Sequence, residues 1–120
     1  MIASDTETKP LVWLHGEIKT PPFSRTGRID AGILLRQLQA GARVGMPHSR
    51  PLPAIGSGCH ELRVWDDGHS WRIVYCLDED AIVILEVFAK KTRATPIHVI
   101  ETCRKRLAAY RRVSAQEQDQ

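Results

Sequence analysis

The first apolar run is Leu11-Val12-Trp13-Leu14-His15-Gly16-Glu17-Ile18, and it predicts a strand. Thr20-Pro21-Pro22 ends it, because proline removes a ladder donor and restricts the residue before it. The ten residues ahead of the strand, MIASDTETKP, are polar and aperiodic and read as a flexible leader. Over residues 24–44 the period changes. Ile29, Ile33, Leu34, Leu38 and Ala42 recur at spacings of three and four and predict a helix with one apolar stripe. Arg25, Arg28, Arg36 and Arg43 lie off that stripe, and Gly41, Gly45 and Pro47 stop it. Gly27 and Gly32 weaken the first half, so the element is one long helix or two short ones.

Residues 46–59 hold three prolines and two glycines and read as a loop. Three strand signals follow. His60–Trp65 alternates, with Leu62 and Val64 on one side and Glu61, Arg63 and Trp65 on the other. Asp66-Asp67-Gly68-His69-Ser70 is turn chemistry, Trp71–Leu77 is the next strand, and Asp78-Glu79-Asp80 is the next turn. Ala81–Ala89 is apolar on both faces and predicts an interior strand. Together these segments make an antiparallel meander. After Thr95-Pro96, a helix from Ile97 to Arg111 shows Ile100, Cys103, Leu107 and Tyr110 on one face and cations in its second half. The expected organisation is a leader (1–10), one domain (11–112) and a polar tail (113–120). The fold class is α+β, in the order β–α–β–β–β–α, with the helices on one face of the sheet.

Composition narrows the class. The 120 residues are 42% hydrophobic and 26% charged, which suits one globular domain. No stretch approaches the roughly 18 apolar residues that span a bilayer. No secretory signal is readable, and Cys59, Cys76 and Cys103 are odd in number and far apart. A reduced, cytoplasmic protein without a membrane partner is expected. The charge is uneven: residues 24–112 hold 15 basic and 9 acidic side chains, while both ends are net acidic. Such a basic body attracts polyanions.

Ordinary enzyme motifs are absent. His48, Cys59, His60 and His69 fall within 22 residues but show no metal-ligand spacing, so neither a metal nor another cofactor is expected. No nucleophile elbow, phosphate loop or dinucleotide fingerprint occurs. What remains is a group of cations on the meander. A loop spanning Asp66–His69 would set Arg63 opposite Arg72 on one face, whereas one residue more would send them to opposite faces. Lys90 and Lys91 follow the third strand, with Arg93 close behind. Like charges opposed across strands are unfavourable unless an anion joins them. The alternative is pairing with Glu61, Glu86 or the turn aspartates. Trp65, Trp71, Tyr75 and Phe88 stand nearby, and rings beside cations suit single-stranded RNA.

The runs His60-Glu61-Leu62-Arg63-Val64, Trp71-Arg72-Ile73-Val74-Tyr75 and Phe88-Ala89-Lys90-Lys91-Thr92-Arg93-Ala94-Thr95-Pro96, followed by a basic helix, resemble the RelE/HigB-type toxins of bacterial toxin–antitoxin modules, in their phage-derived branch. The resemblance covers roughly residues 11–112. It implies a compact RelE-like fold and a metal-independent, ribosome-dependent endoribonuclease that cuts mRNA with the RNA 2′-hydroxyl as nucleophile. It also implies the ribosome, mRNA and a helix-turn-helix antitoxin as partners. The family's cationic positions fall on Arg63, Arg72 and Lys91, with Lys90, Arg93, Trp71 and Tyr75 as RNA contacts. Glu61 stands where RelE itself is often basic. An ordinary lysine titrates near 10 and is a poor base at neutral pH, so His60 and His98 are the acid–base candidates. The ParE-like branch of the same superfamily, which inhibits gyrase by binding it, is the competing reading, as is an inactive RNA-binding domain.

Overall fold

The computed structural model describes residues 8–19, 22–91 and 93–118. Its centre is a hairpin of two long strands, β3 (Cys59–Asp66) and β4 (His69–Leu77), extended by β5 (Ile82–Lys90). The hairpin closes through Asp67 and Gly68, both at positive φ (46° and 81°). This is the Asp-Gly pair that a two-residue primed turn requires. Asp66 therefore pairs with His69, and the register continues through Arg63 opposite Arg72 to Cys59 opposite Cys76.

Two short strands complete the sheet in the order β1-β5-β4-β3-β2. The first, β1 (Leu11–Trp13), runs parallel to β5, with Val12 beside Val83. The expected Leu11–Ile18 strand is thus cut to three residues, and the sheet is mixed. The second, β2 (Ser49–Pro51), lies antiparallel to β3 inside the stretch expected to be loop. Pro51 is tolerated because the outer side of β2 carries no further strand.

Helix α1 (Arg25–Gln39) is a single helix, shorter than the expected span. Ser24 caps it by accepting the Gly27 N–H at 3.0 Å. Asp66 in turn accepts the Ser24 N–H at 2.8 Å and the Ser24 hydroxyl, tying the helix start to the end of β3. The buried face is Gly27, Ala31, Leu35 and Leu38, whereas Ile29 and Ile33 are 46% and 49% exposed. The expected stripe is therefore rotated, because the helix start rides close against Asp66. A Cβ on Gly27 would come within 2.3 Å of the Asp66 carboxyl carbon. Small residues permit that approach.

The two helices pack on opposite faces of the sheet, not on one. α1 covers Leu62, Val64, Trp71, Ile73, Tyr75, Ile82 and Ile84. The second helix, α2 (Ile97–Gln118), covers Cys59, Val74, Cys76, Val83 and Leu85 with Val99, Cys103 and Leu107. Interior strands that are apolar on both sides need a cover on both. α2 also continues through most of the expected polar tail. All three cysteines are free and buried in this second core. The expected leader lies partly outside the described residues, namely 1–7. Its end is held: Lys9 Nζ donates to the Asp78 carbonyl at 2.8 Å, and the Ile82 N–H donates to the Pro10 carbonyl at 2.9 Å. Among the described residues no helix is long and apolar enough to cross a membrane.

Candidate functional site

Directly opposed residues on neighbouring strands project from the same face. The register therefore places Arg50, Glu61, Arg63, Arg72 and Lys90 on one side of the sheet. Arg50 faces Glu61, Arg63 faces Arg72, and Lys90 faces Ser70, two residues from Arg72. This is the α2 side, since Val74 and Phe88 belong to the core beneath that helix.

Glu61 is the hub. It is fully buried, and one of its oxygens lies 3.2 Å from Arg72 Nε, 3.3 Å from Lys90 Nζ and 3.5 Å from Arg50 Nε. The other accepts the Thr95 hydroxyl at 2.7 Å. Arg72 also donates to the Ser70 hydroxyl and, at 3.3 Å, to the Trp71 carbonyl. Burial pulls Arg72 and Lys90 below their ordinary values, and the Glu61 carboxylate opposes that pull. Three cations share one carboxylate and Arg63 stands beside them, an excess of three positive charges. A buried excess of that sign favours any anion that can reach it.

Arg63 differs from the others. The Nε atoms of Arg50, Arg63 and Arg72 are all buried without a hydrogen-bond partner, but of the three Arg63 alone joins no ion pair among the described residues. It lines a cleft of about 590 Å³ together with Arg72, Ser70, Trp65, His48 and Ile33. Arg72 is 9% exposed and held by Glu61, while Arg63 is the guanidinium left to meet a ligand.

The other candidate positions are distributed unevenly. Lys90 enters the cluster with its side chain 1% exposed, whereas Lys91 lies beyond the strand end and is exposed, as is Arg93. Lys90 thus holds the ammonium place that the sequence reading gave to Lys91. Trp71 and Tyr75 stand on the opposite face, in the core under α1, so neither can stack a base beside the arginines. Trp71 stacks on Phe23 at 4.2 Å, and the Tyr75 hydroxyl meets Ser49 Oγ at 2.6 Å. Burial raises the Tyr75 phenol above its ordinary value, while the Ser49 hydrogen bond opposes the shift. His60 is on that same far face, stacked on Tyr75 at 5.3 Å. His98 is exposed in the first turn of α2 and borders a second cleft of about 490 Å³ with Phe88, Lys90 and Lys91. Of the two histidines, His98 alone shares a wall with a cationic residue of the cluster. Among the described residues no group of three or more His, Cys, Asp or Glu could hold a metal ion.

Residues 22–108 match the family described as phage derived protein Gp49-like (DUF891). The chain belongs to this Gp49-like family. That family lies in the RelE/ParE-like toxin superfamily, and a toxin of a toxin–antitoxin module agrees with it at that coarse level. No curated protein matches the chain. The Gp49-like segment runs from just before α1 to near Leu107, and so includes the whole meander and every member of the cationic cluster.

Proposed function

We propose that this Gp49-like protein is the toxin of a type II toxin–antitoxin module, a RelE/HigB-type endoribonuclease that cuts mRNA on the ribosome. One observation carries the reading: Arg63 and Arg72 stand directly opposite each other on β3 and β4, with Arg63 unpaired in an open cleft. Two guanidinium groups held side by side are a poor arrangement unless an anion joins them, and Glu61 pairs with Arg72 but not with Arg63; a phosphodiester would serve both.

The chemistry follows. The 2′-oxygen attacks the adjacent phosphorus and gives up its proton. The phosphorane gains charge, the bond to the 5′-oxygen breaks, and that oxygen takes a proton. The products are a 2′,3′-cyclic phosphate and a 5′-hydroxyl. Arg63 and Arg72 stabilise the charge that develops on the phosphoryl oxygens. Lys90 and Arg50 add to the field through Glu61 rather than by contact. His98 is the acid–base group that this reading assigns, and His60 is set aside because it stands on the other face. The ribosome supplies the positioned message, and a helix-turn-helix antitoxin neutralises the toxin in the cytoplasm.

The test is induced expression with a reading-frame reporter, followed by mapping of mRNA ends. Cleavage within codons that depends on translation, and that is lost in Arg63→Ala, is the expected result. DNA damage with intact mRNA would place the chain in the gyrase-inhibiting branch instead. Toxicity undiminished by Arg63→Ala would overturn the assignment of the site.

A further inference from the structure

We infer that the cleft beside Arg63 is a base-binding slot for single-stranded RNA, with Trp65 as its stacking platform. This inference rests on the phosphate-binding reading of the arginines and extends it to the base next to the gripped phosphate.

The cleft is chemically polarised. Arg63 and Arg72 stand at one part of its wall, while Ile33, Leu34, Val64 and Pro47 make most of the rest apolar. Asp30 of α1, His48 and Ser70 line it as well. A carboxylate repels phosphate but accepts from the N–H groups on a base edge. One ligand class matches cations, an apolar body and a carboxylate acceptor in one cleft: a nucleotide with its phosphate on the arginines and its base inside. A polyphosphate has no apolar part, and an apolar peptide leaves Arg63 unsatisfied.

Trp65 is the residue with a surface to offer. It is 69% exposed at the cleft, although a tryptophan in a sheet of this size is ordinarily covered. It lies two residues beyond Arg63 on the same face of β3, about 7 Å along the strand. That separation suits a ring and a guanidinium serving the base and the phosphate of one nucleotide. It pairs with Ser70, whose hydroxyl accepts from Arg72. The neighbouring strand thus holds the guanidinium in place beside the ring. Trp71, by contrast, is enclosed by Phe23 and has no free face to give.

The experiment measures binding of two short single strands to the full chain. One is a 2′-O-methyl RNA that the 2′-hydroxyl mechanism cannot cut, and the other has the same backbone without bases. Trp65→Ala should weaken the base-bearing strand about 5- to 150-fold, the range for loss of one base–aromatic stack, and leave the abasic strand unchanged. Trp65→Phe should retain most of the affinity. Arg63→Ala should weaken both strands. Exposure of Trp65 and the lack of an ion-pair partner for Arg63 among the described residues leave the fold intact in these variants, which a thermal melt verifies. If Arg63→Ala weakens both strands but Trp65→Ala changes neither, the phosphate site stands and the base slot is wrong. If Arg63→Ala changes neither strand, the parent reading fails. If the wild-type chain binds both strands equally, the bases add nothing to binding and the slot is overturned.

Discussion

Lys90 and Glu61 meet at 3.3 Å as a buried ion pair, the lysine side chain 1% exposed and the glutamate fully covered. The same carboxylate faces Arg72 and Arg50, so one anion holds three cations from three strands. Removing it leaves charges in a place that water does not reach. Glu61→Gln is therefore expected to destabilise the fold by about 3–5 kcal/mol, read from denaturant unfolding. The double variant Glu61→Gln/Lys90→Met should be less damaged than the sum of the single variants, by roughly 0.5–3 kcal/mol. Strict additivity would show that the pair contributes nothing.

Arg63 makes the opposite prediction. With no ion-pair partner among the described residues, it can be removed at little structural cost. Arg63→Ala should lower mRNA cleavage by about 10²–10³-fold while the unfolding midpoint stays nearly constant. Lys91→Ala, exposed and outside the cluster, should change both by much less. Equal losses for Arg63→Ala and Lys91→Ala would argue against the placement of the site.

Much of this was legible in the chain and some was not, for reasons that attach to particular residues. The hairpin is readable from its turn residues, but its register stays open between two loop lengths; in the fold the Asp67-Gly68 turn sets Arg63 against Arg72. Lys91 comes from the family resemblance, whereas the fold brings its neighbour Lys90 into the cluster, because Lys90 is the last residue of β5 and pairs with Ser70. The α1 stripe was misplaced because Ile29 and Ile33 outweigh Gly27 and Ala31 in hydrophobicity, although the small pair is what lets the helix approach. A helix on each face was implied by strands apolar on both sides, Ile82 and Ile84 against Val83 and Leu85, and was missed. β2 gave no signal, since three residues ending in proline form a strand only by pairing with the distant β3.

Acid should loosen the start of α1. Hydrogen bonds from the Ser24 hydroxyl and backbone hold the Asp66 carboxyl below its ordinary value. A depressed carboxyl stabilises the fold fully above the unfolded value near 4 and loses that contribution as pH falls through its own lower value. Wild-type melting temperature should therefore drop more steeply than that of Asp66→Asn between about pH 5 and 2, with the two curves converging. Parallel curves would remove Asp66 from the account. Ser24→Ala, measured at neutral pH, should cost about 1 kcal/mol as a lost cap.

Tyr75→Phe separates packing from recognition. The phenol meets Ser49 Oγ at 2.6 Å, and both groups are buried. Its loss leaves the Ser49 hydroxyl without that partner and should cost roughly 1–2 kcal/mol in thermal or denaturant unfolding. RNA binding should not change, because the ring stands on the far side of the sheet from the arginines. A variant of normal stability with weakened RNA binding would contradict this placement.

The borders of the sheet have a further consequence. Both outermost strands, Leu11–Trp13 and Ser49–Pro51, are three residues long, and the second ends in proline. They cover Ile82–Ile84 of β5 and His60–Leu62 of β3, and being so short they offer little edge on which another copy could add a strand. A chain this rich in β-branched residues through its middle is thus guarded against fibrous self-association by its least regular segments. Trimming or straightening those segments is where insolubility should begin.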